Sequence, residues 1–540
     1  MDKSKKYLTV LARQYPSERA VISEIVNLQA LLSLPKGTEH FLTDIHDENE
    51  QFSHVLRNGS GSIRTKIDEG FGNSETLATK RALATLIYYP KEKLELVRQS
   101  ESDMNDWYAV TLHRVIAMLR RVASKHTRAD LRNAMNSDFA YIIEELITEK
   151  EEINNKQAYY NEIIQTVIRI GAAEPLIVTM CNLIQRFAID HLHIIGDIFD
   201  RGPGPHIILD TLMHYHSLDI QWGNHDVVWM GAQSGNKACI ANVVRLCARY
   251  NNLDVLEEGY GINLTPLVTF TMKTYGKMDR HAVHKAIAVI QFKLEDAIIR
   301  ANPQFEMQQR LFLSTIDWEA GTVEIDGTRW KLTTTDFPTI DRAAPARLSA
   351  DEEEVINRLV YSFTHCEKLS AHVKLLYAKG SLYKIYNGNL LYHGCVPLTE
   401  DGSFASVNVY GKEVRGRALF DELERWARRG YFAKAGSAER EAGGNILWYL
   451  WQGPASPLFG KSKMATFEGM FIDDKAASKE AKNSYYELVD DEKTVDGILA
   501  EFGLDGRTAH IVNGHVPQEV KKGDSPIKCG GKLLIIDGGF

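Results

Sequence analysis

The sequence contains no Cys-x-x-Cys pair; its six cysteines, Cys181, Cys239, Cys247, Cys366, Cys395 and Cys529, are scattered through 540 residues. That spacing removes zinc-ribbon and thioredoxin-like readings and gives no disulfide framework for a chain this large. Long apolar runs are missing as well. No uncharged stretch reaches the ~20 residues that span a bilayer. The apolar run after the basic start Met1-Asp-Lys-Ser-Lys-Lys ends at Arg13, too short for a signal peptide. A cytoplasmic protein with no membrane partner is the expectation. Positive charge is not in excess either: 63 Lys and Arg face 71 Asp and Glu, a formal charge of −8. That balance argues against nucleic acid as the main partner. An acidic enzyme can still take an anionic substrate where metals or local cations reverse the field. Internal repeats and low-complexity tracts are also absent.

What is present is the composition of a soluble globular protein, 44% hydrophobic and 25% charged. The length exceeds one ordinary core, so several domains, or large insertions on one core, are expected. The stretch from Ile194 to Asp226 organises the chain. It reads Ile-Ile-Gly-Asp197-Ile-Phe-Asp200-Arg201-Gly-Pro and then, after one helix-length gap, Gly-Asn224-His225-Asp226. Both blocks follow short apolar runs of strand length, His191–Ile195 and Leu218–Trp222, and the segment from Pro205 between them has helical spacing. Ligand sites in open α/β sheets form outside the carboxyl ends of strands. A two-metal site is therefore the sharp reading.

Other strand ends supply more ligand types. Glu39–Thr43 reads as a strand followed by Asp44-Ile-His46, and i and i+2 point the same way from an extended chain. Asn389-Leu-Leu-Tyr-His393 and Ala509-His-Ile-Val-Asn-Gly-His515 each end a strand on an imidazole, and Gly531 onward reads as a last strand. Mixed carboxylate and imidazole suits Mn²⁺, Fe or Zn²⁺ better than Ca²⁺. Two ions ~3.5–4 Å apart need a shared ligand, which an Asp carboxylate can be.

Between these strands the pattern is mostly helical. A helix is expected over residues 17–33 with Ser17 as N-cap, and Tyr108, Leu112, Val115, Leu119 and Val122 mark a core stripe. Asp326-Gly327 signals a hairpin. Asn58-Gly-Ser-Gly-Ser-Ile-Arg64-Thr-Lys66 reads as a Gly-rich loop with two cations that could cradle a phosphate. The resulting division is 1–76, N-terminal helices and the first part of a core; 77–187, a helical insertion; 188–265, core; 266–388, a second, mostly helical insertion; 389–414, core; 415–504, a third insertion; and 505–540, the last core strands.

The ordered blocks D-x-H, G-D-x-x-D-R, G-N-H-[DE], a later His and a final G-H resemble the calcineurin-like metallophosphoesterases. Thr-Asp44-Ile-His46-Asp-Glu-Asn-Glu, Gly-Asp197-Ile-Phe-Asp-Arg-Gly-Pro, Ser456-Pro-Leu-Phe-Gly-Lys461 and Asn-Gly-His515-Val-Pro are more specifically similar to the class III fructose-1,6-bisphosphatases of bacteria. The likeness runs from Phe41 to the last residue. It implies a four-layer α/β core, two mixed β-sheets back to back with helices outside, carrying large helical insertions. It also implies a phosphoric monoester hydrolase converting fructose 1,6-bisphosphate to fructose 6-phosphate in gluconeogenesis, with a small-molecule sugar bisphosphate as partner and a homo-oligomer left open. Attack would come directly from a metal hydroxide.

Carried over by block, the resemblance implies two divalent ions, Mn²⁺ by preference. Asp44 and His46 would hold the first, Asp197 would bridge, and Asn224, His393 and His515 would hold the second. His225 would protonate the leaving alkoxide with Asp200 fixing its ring, and Arg201 would bind phosphoryl oxygens. Arg64, Lys66, Lys461 and Lys528 are candidates for substrate phosphate, with Lys434 and Lys463 beside them, although a loop lysine is normally solvated. Asp226 reads as a helix N-cap or a support for the ligands, and His191 and His193 as ordinary core or surface histidines. Two departures stand out. Pro517 takes the place where many relatives have a further His, and similar family members continue past Gly-Gly-Phe540, so a truncated chain is expected. The rival readings are a phosphoprotein phosphatase, whose core blocks fit equally, and a non-catalytic metal-stabilised regulatory protein.

Overall fold

The computed structural model describes residues 3–135, 138–148, 157–518 and 522–537. Positions 538–540, on which the expected truncation falls, lie outside the described residues. The chain divides into two compact units, Met1–His40 with His54–His191, and Phe41–Ser53 with Leu192–Phe540. Among the described residues no single helix is long and apolar enough to cross a membrane.

The first unit is helical. It opens with α1 (Lys3–Gln14) and α2 (Glu18–Leu31), the latter started by Ser17, whose hydroxyl accepts the Ala20 N–H. Arg64 and Lys66 lie on α3 (Ser62–Phe71) and not in a loop as expected from the sequence. The reason is local. Gly59, Ser60 and Gly61 all take positive φ, and Asn58 Oδ1 accepts the Gly61 N–H. The turn is therefore complete within three residues and the helix follows at once. The core is built on α4 (Met104–Ala123), which buries Leu112, Val115, Leu119 and Val122 as their spacing requires, and α5 (Ala173–Ala188), which buries Leu176, Ile177, Met180, Ile184 and Phe187.

The second unit is mixed α/β. One sheet has the order β1 (Glu39–Leu42), β2 (His191–Ile195), β3 (Leu218–Gln221), β4 (Gly380–Ser381), with β2, β3 and β4 parallel. The other contains β5 (Tyr383–Tyr386), β6 (Asn389–Tyr392), β7 (His510–Asn513), β8 (Ile527–Lys528) and β9 (Leu533–Ile535), in the order β8-β9-β7-β6-β5. β6, β7 and β9 run parallel there, and β5 and β8 are antiparallel edges. Ile195 of the first sheet and Leu391 and Val512 of the second share one apolar cluster with Phe41, Leu534 and Ile536, so the sheets meet on one core. The expected last strand is shorter than its apolar run, because the 3-10 turn at Cys529–Gly531 occupies its start. The Asp326-Gly327 hairpin is present, with both residues at positive φ between Thr322–Ile325 and Thr328–Lys331.

Four helices of this unit pack on one another: α6 (Asn224–Gln233), α7 (Lys237–Tyr250), α8 (Arg280–Ala301) and, after α9 (Ala350–His365), α10 (Ala438–Gln452). Their packing encloses polar groups that must find partners. Glu295 Oε1 accepts from Asn242 (2.9 Å), Gln291 (3.1 Å), Trp448 Nε1 (3.1 Å) and Gln452 (2.8 Å). Asn242 Oδ1 in turn accepts the Trp451 indole N–H at 3.1 Å. All six cysteines are free.

A second enclosed group is the ion pair of Lys293 on α8 with Glu352 on α9, both side chains fully buried. Nζ donates to both carboxylate oxygens, at 2.7 and 3.0 Å, and to the Thr339 carbonyl at 2.8 Å. Removing one partner strands a charge, whereas replacing both does not. Lys293→Met is expected to lower stability by about 3–5 kcal/mol in urea unfolding, and Lys293→Met/Glu352→Leu to regain most of it. A double variant no more stable than the single one would show that the pair is not what the position depends on.

Candidate metal centre

Three turns at strand ends are held in a backbone region that side chains rarely adopt. Asp44, His46 and Asp47 after β1 have φ of 51°, 49° and 67°, Asp197 after β2 has 53°, and His515 after β7 has 71°. Such residues persist only where their surroundings over-determine them. The backbone does so here. The N–H groups of Asp44, His46 and Asp47 donate to the carbonyls of Gly196 (3.0 Å), Asp197 (3.0 Å) and Ile198 (2.9 Å), which zips the first two turns together. Asp47 Oδ2 then accepts the Asp200 N–H at 2.7 Å. Gly223 has no room for a side chain, since a Cβ there would fall 2.1 Å from Asp197 Oδ1.

Asp226 ties the loops to α6. Its carboxylate accepts the N–H groups of Asp197 (3.0 Å), Ile198 (2.9 Å), Phe199 (3.3 Å) and Gly223 (2.8 Å). It stands at the third helical position, with Gly223 as the N-cap, so the N-cap expectation is displaced by three residues. Burial, followed by the charge of Asp197, pushes Asp226 up to about 6.

The side chains held by these turns form two groups that share one residue. Asp44, His46 and Asp197 present ligand atoms within 4.8 Å of one another, and so do Asp197, His393 and His515. His393 Nδ1 lies 2.9 Å from the Ile195 carbonyl and His515 Nε2 lies 2.8 Å from the Phe459 carbonyl. A carbonyl only accepts, so each of those nitrogens carries a hydrogen and the opposite nitrogen offers a lone pair. Those opposite nitrogens, His393 Nε2 and His515 Nδ1, face each other at 3.1 Å, with Asp197 Oδ2 3.3 Å from the former. Two lone pairs at that distance require a proton or a cation between them.

The charges point the same way. Against the effect of burial, Asp197 and Asp44 push His393 up to about 10, while burial and His393 push His515 down to about 3. Burial, with Asp537 and Asp197, drives Asp44 up to about 8 against the pull of His393. Asp44 Oδ2 accepts from the Thr43 hydroxyl (2.7 Å) and the His515 N–H (3.0 Å). At the start of α6, Asn224 is buried and its Oδ1 has no partner, a cost of about 1–3 kcal/mol unless something accepts its lone pair. Buried carboxyl groups, imidazoles and an orphaned amide oxygen are, once the metal displaces their protons, the donor set of a divalent transition metal. The residues fit such ions.

Around this set lie the remaining residues of the blocks. Asp200, buried, has Oδ2 3.2 Å from His46 Nδ1 and Oδ1 3.2 Å from His225 Nδ1, ion-pair distances without hydrogen-bond alignment. The His225 N–H donates to Asp197 Oδ1 at 3.0 Å, and its ring meets the Trp451 indole edge-on at 4.9 Å and 78°. Arg201 has Nη1 3.7 Å from Asp200 and is half-exposed. Lys461 pairs with Glu480 at 2.8 Å, Lys463 with Asp326 at 2.7 Å and Lys528 with Asp490 at 3.9 Å, while Lys434 sits exposed in a turn.

Residues 6–540 match the family described as Firmicute fructose-1,6-bisphosphatase. The chain belongs to this family. Relatives named fructose-1,6-bisphosphatase class 3 include proteins of Clostridium beijerinckii, 51% identical over 99% of this chain and 85% of the relative, and Clostridium acetobutylicum, 50% identical over 99% and 84%. A third, from Clostridium botulinum, is 51% identical over 100% of this chain and 85% of its own length. No solved structure matches the chain.

In this fructose-1,6-bisphosphatase family member, sequence reasoning passed over three supports of the site. Asp47 stands inside the run Asp-Glu-Asn-Glu of the first block, where it was given no role of its own, yet its carboxylate is buried. Trp451 reads as part of a loop, but it closes α10 and walls His225. The Phe459 carbonyl carries no signal at all, being backbone.

Asp226 gives a test of the scaffold. An amide cannot accept the same set of N–H bonds, and loss of such outer support commonly costs about 10–100-fold in metal affinity or activity. Asp226→Asn is expected to lose Mn²⁺ affinity by that factor in calorimetric titration, with its circular dichroism unchanged. Wild-type affinity in the variant would contradict the role.

Proposed function

We propose that this chain hydrolyses fructose 1,6-bisphosphate to fructose 6-phosphate and phosphate, in the cytoplasm and in gluconeogenesis, using two divalent cations, Mn²⁺ by preference. The carrying observation is the pair of ligand groups joined at buried Asp197, in a chain that matches the named bisphosphatases over nearly its whole length. The two sheets on one core support a four-layer metallophosphoesterase architecture with helical insertions.

In this reading Asp44 and His46 would hold one ion and Asn224, His393 and His515 the other, with Asp197 available to both. Bound there, such ions supply Lewis-acid activation of water and neutralise phosphoryl charge. The chain's own groups do the rest. The half-exposed Arg201 fork binds phosphoryl oxygens, a geometry lysine cannot match. His225, with Nδ1 turned to Asp200, keeps Nε2 for the leaving oxygen and gives it a proton. Asp200 fixes the orientation of that ring.

Phosphate release measured side by side with Mn²⁺ is expected to be faster on fructose 1,6-bisphosphate than on a phosphopeptide; the reverse order would favour a protein phosphatase. Metal analysis is expected to approach two ions per chain, with Asp197→Asn lowering both and Asp44→Asn chiefly one. A stoichiometry fixed at one would overturn the shared-ligand assignment. His225→Ala is expected to lose about 10²–10⁴-fold on the sugar phosphate and far less on an aryl phosphate, whose leaving group needs no proton. Equal losses on the two substrates, with both ions retained, would remove the proton-donor role.

A further inference from the structure

In the second unit, a buried guanidinium outside the candidate metal centre is left short of partners. Arg245 on α7 is 1% exposed, and its Nε donates to Gln291 Oε1 on α8 at 2.6 Å, but its Nη1 has no protein partner. A buried N–H with nothing to donate to is costly, the more so on a charged group. His284 on α8 repeats the pattern, with its Nε2 buried and unpartnered.

The two groups belong to one place. Asn242 bonds Glu295 and Arg245 bonds Gln291, so α7 and α8 run antiparallel, and that register carries Arg249 toward His284. Gln291 and His284 lie about two turns apart on one face of α8, and Arg245 and Arg249 about one turn apart on α7. Arg280 and His281 open α8 beside them. Arg249, Arg280 and His281 are exposed, so the cluster runs from a buried floor at Arg245 out to solvent. Burial, and then the charges of Arg245, Arg249, His281 and Arg280, push His284 down to about 4. The carboxylates at hand are occupied. Glu295, which acts on Arg245, accepts from four side chains, and Asp279 accepts the Ala282 N–H as the cap of α8. Three guanidinium groups outweigh these two carboxylates, and the two imidazoles gain protons when negative charge arrives. That surplus suits an anion of more than one charge, and the guanidinium fork matches phosphoryl oxygens. The cluster also faces away from the metal centre. Cys247 is the residue of α7 that feels the charges of Asp47 and Asp200, and it stands about 200° round the helix from both Arg245 and Arg249.

We propose that Arg245, Arg249 and His284, with Arg280 at the rim, bind a phosphate group, free or carried on a small molecule, at a site separate from the metal centre. Arg245 Nη1 and His284 Nε2 are the donors that reach it, and Arg249 and Arg280 neutralise its remaining charge. The inference does not depend on the reaction proposed above.

Calorimetric titration of the Mn²⁺-loaded full chain with inorganic phosphate tests it. The wild type is expected to show two classes of site. Asp197→Asn is expected to lose the class at the metal centre and keep the other. Arg249→Ala/His284→Ala is expected to weaken the other by about 10–100-fold, the worth of a hydrogen bond to a charged group, with Mn²⁺ content and circular dichroism unchanged. Because Arg249 is exposed and His284 half-buried, this pair tests the site without disturbing the buried Arg245. Phenylphosphonate, whose C–P bond resists hydrolysis, is the second probe. Its competition for the same class would support a phosphate carried on a small molecule, and phosphate binding without that competition would support the free ion. A double variant that binds phosphate as the wild type does would overturn the proposal. So would an Asp197→Asn variant that binds none, since the metal centre would then account for all of it.

Discussion

The carboxylate of Asp197 is the constraint on which the second unit's centre depends. It belongs to both ligand groups, accepts the His225 N–H and faces His393 at 3.3 Å, all in a buried place where an uncompensated charge is costly. Holding it there requires a left-handed residue, glycine at 223, and the Asp226 carboxylate gathering the neighbouring N–H groups. Each device is expensive alone. Together they leave the carboxylate one position, which is what a shared ligand needs.

The same logic extends outward through the helices. Glu295 on α8 gathers four donors, one of them Asn242, and Asn242 fixes the indole of Trp451 at the end of α10, which meets the His225 ring edge-on. A residue beside the candidate metal centre thereby meets a helix distant from it in sequence. The Phe459 carbonyl, just beyond the same helix, sets which nitrogen of His515 is free. The segments between the core strands thus complete the centre as well as covering it.

Much of this was legible in the chain. Apolar runs of strand length, the helical stripe on α4 and the Ser17 cap are local, and local sterics and burial decide them, so pattern and structure agree. The chemistry-bearing blocks were equally visible, because Asp44, His46, Asp197, Asn224, His393 and His515 each follow an apolar run that can only be a strand end. The family too could be recognised from them. The loop expected at Arg64 and Lys66 failed because a three-residue turn of positive φ consumed less chain than the glycines suggested.

What the sequence could not reveal is which atoms face which. The pairing of His393 with His515, the use of Asp47 and Asp226 as backbone acceptors, and the contact of Trp451 with His225 join residues up to hundreds of positions apart. They depend on how two sheets share a core and on which carbonyls end up opposite which rings. Residue types and their order follow from local rules, and so the sequence alone determined the inventory of candidate ligands and the elements that carry them. Register, tautomer and burial are properties of packed neighbours, and only the tertiary structure decided those.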